Sequence, residues 1–301
     1  SSRGKAFCMG NWNGPVYEQG KSDGVRYQKP RFLNDNKKIV MISDDSGNEH
    51  LEIHFIKGKK KSKVLDLDIG RPYDMKMSPI KDQIAISNHR NELLLIDLKK
   101  NTMHKIDRSK FSVIGSSFNW SPDGRYIAYS CSFNSRVNGI KIHDLESKKS
   151  HKVSDPILND FNPVFDPSGK YLAFLSNRVF NPVYDNMHFD LGFPRGEKPY
   201  IITLNKETPS PLYKTSPKPI KDTKKKDDKK KDEDSKIKID FNGIEKRIMA
   251  IPTEEGLFEN IGFINNKLFY NVYPDEGSFG DIPWYDFSSS DTSTILFYDL
   301  D

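Results

Sequence analysis

The most regular feature of the chain is a recurring block in which a polar turn separates short, alternating apolar runs. "NWSPDGRYIAYS" (Asn119 to Ser130) has a close copy in "FDPSGKYLAFLS" (Phe165 to Ser176). Weaker copies are "KMSPIKDQIAIS" (Lys76 to Ser87) and "LNDNKKIVMIS" (Leu33 to Ser43), and "GFINNKLFYNV" (Gly262 to Val272) repeats the block with a shortened turn. The first four recur about every 44 residues. Within a block, Pro presets the backbone of the turn and Gly or Asn supplies a positive φ. An apolar strand such as "YIAYS" or "YLAFLS" follows, with the period of two that a half-buried strand requires.

Each block then continues into a third strand ending near Asp-Leu: "LLLIDL" (Leu93 to Leu98), "IKIHDL" (Ile140 to Leu145), "YIITL" (Tyr200 to Leu204) and "ILFYDL" (Ile295 to Leu300). Short polar strands, "HKI" at His104 to Ile106 and "HKV" at His151 to Val153, complete the unit. Four strands in about 44 residues, repeated, predict an all-β fold, a β-propeller of four-stranded blades. Helical periodicity is nearly absent, which argues against an α/β enzyme fold. "GKAFCM" and "PVYEQG" supply two strands with no pair before them, and the last repeat stops after "TILFYDLD". The expectation is therefore an incomplete ring of about five blades plus a half-blade, with residues 1–301 forming one truncated propeller.

Composition changes this picture little. The 301 residues are 35% hydrophobic and 30% charged, with a formal net charge of +5. Much of the lysine sits in "KDTKKKDDKKKDEDSK" (Lys221 to Lys236), which carries eight Lys, six Asp or Glu and no apolar residue. Such a run buries nothing to offset its ordering entropy, so residues 214–237 are expected to form a charged, disordered insertion within the propeller. Its mixed sign does not fit a nucleic-acid tail, and no nucleic-acid partner is expected. No apolar run is long enough for a membrane helix and no signal peptide opens the chain, so no membrane association is expected. Two distant cysteines, Cys8 and Cys131, form no metal-like or redox spacing and favour a reduced setting.

Three motifs invite chemistry. "GKSDG" (Gly20 to Gly24) matches a nucleophile elbow, but that device needs a helix directly after it, and "VRYQKPRF" follows with Pro30 and an alternating pattern. Ser22 is therefore read as a loop residue. "HLEIH" (His50 to His54) reads as a strand, which would set its two imidazoles roughly 13 Å apart on one face; no metal or cofactor is expected there or elsewhere. "SNRVFNPVYDNMHFDLGFPRGEKPY" (Ser176 to Tyr200) is too long and too aromatic for an ordinary blade turn. Phe180, Tyr184, His188, Phe189 and Phe193 are its candidates for peptide contact, set against docking of a neighbouring domain or simple packing on their own blade. The strands leading into each turn are the innermost of a propeller. Lys29 and Arg31 ("YQKPRFL") and Lys76 ("PYDMKM") are thus candidates for a basic channel lining suited to peptides with a free carboxylate, set against local pairing.

The residues resemble a family. The run from Ser176 to Leu212, then the charged insertion and "IDFNGIEKRIMAIP" (Ile239 to Pro252), together with the "SSRGKAF" start, are similar to the larger propeller of tricorn proteases. The resemblance implies a seven-bladed propeller acting as channel or filter for peptide access, within a cytoplasmic serine peptidase that degrades oligopeptides released by proteasomes. It further implies PDZ-like and peptidase-core domains on the same polypeptide, a homo-oligomeric full-length protein, and catalytic residues outside this segment, so that no catalytic residue is expected here. The rival expectation is a stand-alone TolB-like propeller serving protein–protein interaction. A dipeptidyl-peptidase-like enzyme would require an α/β-hydrolase domain and an intact nucleophile elbow.

Overall fold

Strand pairing follows the repeats. The computed structural model describes every residue except 22–23, 58–60, 186–188, 193–194, 213–235, 274–292 and 301. The described residues are strands and connections, with one short 3₁₀ helix at Ile244–Arg247. They divide into two compact units: Ser1–Trp120 with Cys131–Ser135, and Ser121–Ser130 with Arg136–Asp301.

The first unit opens with a hairpin, β1 (Ala6–Cys8) paired with β2 (Tyr17–Gln19). The first repeat supplies β3 (Tyr27–Phe32), β4 (Lys38–Ser43), β5 (His50–Phe55) and β6 (Lys63–Leu65), an antiparallel sheet in chain order. The second supplies β7 (Pro72–Met77), β8 (Gln83–Asn88), β9 (Glu92–Asp97) and β10 (Thr102–Arg108) in the same arrangement. Because side chains alternate across a strand, β4 sends Val40 and Ile42 to one face and Ile39 and Met41 to the other. The first pair joins Leu51, Ile53, Met75, Ile84, Ile86, Leu94 and Ile96 in a core between the two sheets. The second pair packs with Ala6, Cys8 and Tyr27. Each fully buried aliphatic side chain contributes about 1.5–3 kcal/mol, and strands covered on both faces read as continuous apolar runs for that reason.

The third repeat carries β11 (Phe118–Trp120), β12 (Tyr126–Ser132), β13 (Asn138–Asp144) and β14 (Lys149–Lys152). In the second unit the fourth repeat contributes β15 (Asp160–Phe165) and β16 (Tyr171–Ser176). A separate two-stranded ribbon, β17 (Val183–Asp185) with β18 (Asp190–Gly192), interrupts that sheet before β19 (Lys198–Thr203) and β20 (Ile248–Ala250) complete it. The sequence pattern does not expose β20, because its three residues lie beyond the charged insertion. The fifth repeat gives β21 (Leu257–Ile264), β22 (Lys267–Tyr273) and β23 (Thr294–Asp299). Leu172, Phe174, Tyr200 and Ile202 pack with Tyr126, Ile140 and Ile142. Tyr171, Leu175 and Ile201, on the opposite face, pack with Phe258, Leu268 and Tyr270. Residues 214–235 of the expected 214–237 insertion lie outside the described residues, and its end is corrected: Ile237 is not part of a disordered run but is buried in the Phe174 cluster, where its apolar side chain gains from burial.

Two backbone hydrogen bonds recur at equivalent places in the repeats. The turn opens with an amide bonded to the carbonyl five residues on: Leu33 to Lys38, Ser78 to Gln83, Ser121 to Tyr126 and Asp166 to Tyr171, at 2.8–3.0 Å. The residue closing the third strand then bonds back to the position just before the second: Ile56 to Lys37, Leu98 to Asp82, Leu145 to Arg125, Leu204 to Lys170 and Leu300 to Asn266. The Asp of the Asp-Leu ending accepts the amides of the following turn, as Asp97 does from Lys99 and Lys100. A short polar side chain closing its own turn in this way is what selects Asp at that position.

Candidate functional site

The first strands of the first two repeats, β3 and β7, bring Lys29, Arg31 and Lys76 around one carboxylate, Asp74. Lys29 Nζ lies 3.7 Å from Asp74 Oδ1, Arg31 Nη2 4.0 Å from the same oxygen, and Lys76 Nζ 4.0 Å from Oδ2. Three cations therefore surround one largely buried carboxylate, a local excess of positive charge. The three are not equivalent. Lys76 Nζ donates to Ser116 O at 2.9 Å and Phe118 O at 2.6 Å and stands 4.8 Å from the centre of the Phe118 ring. Burial pulls its pKa below the ordinary lysine value, with Asp74 opposing the shift. Trp120 Nε1 donates to the carbonyl of Lys76 at 2.9 Å, so this lysine ties β7 to β11. Arg31 spends Nε on Met75 O and Nη1 on Pro30 O. Asp74 itself is not singled out by the sequence pattern; its i, i+2 spacing from Lys76 on one strand face is the available signal.

The aromatic candidates lie in the second unit. Tyr184 is on β17 and pairs across the ribbon with Leu191 of β18. Phe180 and Phe189 are 80% and 78% exposed, and Tyr184 is also exposed, so these rings face solvent rather than the core of their own unit. His188 and Phe193 lie outside the described residues. The base of the loop is firmly held. Arg178 donates from Nε and Nη2 to the two oxygens of the fully buried Asp160 at 3.2 and 2.8 Å. Asn181 Nδ2 donates to Glu255 at 2.8 Å, and Phe258 N donates to Glu197 at 3.0 Å.

Two sequence motifs resolve differently. Gly20 is in the positive-φ region, Ser22 lies outside the described residues, and no helix occurs between Gly24 and β3, the opposite of what a nucleophile elbow needs. His50 and His54 occupy one strand as expected, but their rings do not stand a strand's length apart. Both turn inward to Glu52: His50 Nε2 is 3.1 Å from Oε1 and His54 Nε2 2.7 Å from Oε2. The intervening Glu shares their face and is buried, so two hydrogen bonds to its charge outweigh keeping the imidazoles apart. No group of three metal-ligating side chains occurs among the described residues. A surface cleft of about 960 Å³ beside β6 is lined by more carboxylates (Asp44, Asp45, Glu49, Asp66, Asp68) than arginines (Arg26, Arg71, Arg90), with Arg26 paired to Asp44 and Glu49 and Arg90 to Asp68.

Repeated four-stranded antiparallel sheets, each built from one copy of the sequence block, define a β-propeller module. The chain belongs to the tricorn protease second β-propeller domain family, whose model matches residues 1–301. It is 33% identical over 277 residues to a protein of Sulfurisphaera tokodaii named as a Tricorn-like protease C-terminal subunit. It is 31% identical over 285 residues to the Tricorn protease homolog of Saccharolobus solfataricus. Each match covers 92% of this chain, and the chain spans only 30% and 24% of those relatives' own length. The crystal structure of the tricorn protease superposes with a TM-score of 0.80 at 22% identity, covering 100% of this chain and 28% of that one, which establishes the shared fold. No helix among the described residues is long and apolar enough to cross a membrane.

Proposed function

We propose that the chain is the access module of a cytoplasmic tricorn-type serine peptidase: a propeller segment without catalytic residues, through which oligopeptides of the kind a proteasome releases reach a peptidase core elsewhere in the polypeptide. On this reading residues 1–301 are the larger part of a seven-bladed ring, interrupted by the charged run that precedes the buried Ile237. PDZ-like and peptidase-core domains accompany it on the same polypeptide, and the full-length protein self-associates.

The observation that carries the reading is the cationic cluster of Lys29, Arg31 and Lys76 about Asp74 on the first strands of two repeats, in a chain of the tricorn propeller family. A surplus of positive charge along such strands draws the carboxylates of short peptides. The exposed rings of Phe180, Tyr184 and Phe189 offer a second, apolar contact. The competing reading is a stand-alone TolB-like interaction propeller. Sequencing the reading frame beyond Asp301 separates them. A PDZ-like stretch followed by a peptidase core is expected; a stop codon soon after a closing strand would overturn the proposal.

A further inference from the structure

Two carboxylates fasten the base of the aromatic loop to the next sheet, and their surroundings are opposite. Glu255 accepts Asn181 Nδ2 at 2.8 Å and faces Lys198 Nζ at 3.3 Å. Bonds from its own amide, Asn181 and Lys198 hold its carboxyl below the ordinary range. Glu197, the last residue of the loop before β19, is the other. Its Oε2 accepts the Phe258 amide at 3.0 Å and its Oε1 accepts Asn177 Nδ2 at 3.4 Å. Its carbonyl accepts the Gly256 amide at 3.2 Å. One residue thus joins the exit of the loop to its entry at Asn177 and to the head of β21.

The setting of Glu197 disfavours charge. Among the described residues no lysine or arginine pairs with it: Arg178 is held by the buried Asp160 at 2.8 Å, and Lys198 by Glu255. The further charge acting on it, Glu259 of β21, has its own sign. Burial pushes its carboxyl above the ordinary value of 4.5 against the bonds from Phe258 and Asn177, and Glu259 adds to the rise. What depends on this clasp is the ribbon. β17 and β18 pair over three residues each, and so short a ribbon does not hold itself in place. The ends of the loop set its position.

We propose that Glu197 is a proton-operated latch: protonated, it clasps the aromatic loop to the head of β21; ionised, it lets the clasp open and frees the loop. The inference rests on the proposed contact of peptides with the exposed rings of that loop, and adds how the contact is regulated. A carboxyl whose folded pKa is raised supports the closed form below its unfolded value near 4.5. That support is withdrawn as pH rises through the folded value, because opening returns the charge to water.

Amide exchange read by mass spectrometry tests the latch, with native chain and Glu197→Gln compared at the same pH so that the intrinsic pH dependence of exchange cancels. Glutamine keeps an acceptor oxygen and does not ionise. At pH 8 the segments holding Val179, Gly256 and Phe258 are expected to exchange about tenfold faster in the native chain than in Glu197→Gln, and at pH 4.5 at equal rates. Glu259→Gln, which removes the like charge, should slow native exchange at pH 8. A ratio that is the same at both pH values overturns the latch, since a merely structural glutamate acts alike at each. If Glu197→Gln does not fold, unchanged exchange at pH 8 in Glu259→Gln overturns it instead. The peptide link is read separately, by anisotropy with a fluorescein-labelled, C-terminally amidated peptide rich in Phe. The native chain should bind it about threefold more weakly at pH 8 than at pH 4.5, and Glu197→Gln equally at both. Absence of binding at either pH overturns the peptide contact of the rings and leaves the latch to stand or fall on exchange. Binding without this pH dependence, in a chain whose exchange shows the latch, overturns its control of peptides.

Discussion

At the scale of single residues, the strongest electrostatic feature outside the basic cluster is Glu52. Burial alone would push its carboxyl up, but hydrogen bonds with His54, Ser43 and His50 outweigh it and hold the pKa down at about 2. His54 in turn meets the Tyr27 ring edge-on at 5.7 Å, so the charge is embedded in the core beneath the opening hairpin. A carboxyl whose folded pKa is depressed stabilises the fold above its unfolded pKa near 4.5. That contribution, on the order of 3 kcal/mol, is lost as pH falls from the unfolded value towards the folded one. Urea midpoints at pH 7, 5 and 3 are expected to fall steeply between the last two for the native protein. Glu52→Gln should be less stable at pH 7 and lack that steep loss; an unchanged pH dependence would contradict the assignment. The sequence displays the His-x-Glu-x-His spacing, but period-two geometry gives only the common face. It does not say that the middle residue draws both rings to itself.

At the scale of the element, the repeat fixes where glycine is indispensable. Gly169 closes the turn between β15 and β16 with φ of +71°, and its amide donates to Asp166 O at 2.9 Å. A Cβ there would stand 2.5 Å from Ile237 Cγ1, a buried atom of the adjoining core. Gly47, in the β4–β5 turn, also has a positive φ, but nothing lies within 4 Å of where a Cβ would sit. Gly47→Ala is therefore expected to cost about 1 kcal/mol from backbone strain alone, and Gly169→Ala about 2–3 kcal/mol from strain plus overpacking. Chemical denaturation of the two variants checks the order; equal losses would show that Ile237 moves aside freely. The turns, the apolar second strands and the Asp-Leu endings were legible because each answers to local chemistry: Pro and Gly dihedrals, burial on both faces, and a side chain bonding its own turn. The ribbon β17–β18 and strand β20 were not. Their pairing is decided by partners far along the chain, and three-residue strands carry too little pattern to declare themselves.

At the scale of the whole molecule, the same division holds between what repeats and what is particular. The repeating blocks announced the sheets, and the rarer runs around Ser176 to Leu212 and Ile239 to Pro252 pointed to the tricorn family to which the chain belongs. The basic cluster was only half legible. Strand register made Lys29, Arg31 and Lys76 candidates, but Asp74 as their shared centre, and the commitment of Lys76 to the carbonyls of Ser116 and Phe118, depend on contacts between repeats. Everything proposed for this propeller turns on its handling peptides without cutting them. Prolonged incubation of the chain with fluorogenic oligopeptides, followed by mass spectrometry of the products, puts that to the test. Every peptide is expected to be recovered intact. Turnover that a serine-directed inhibitor abolishes would contradict a non-catalytic propeller.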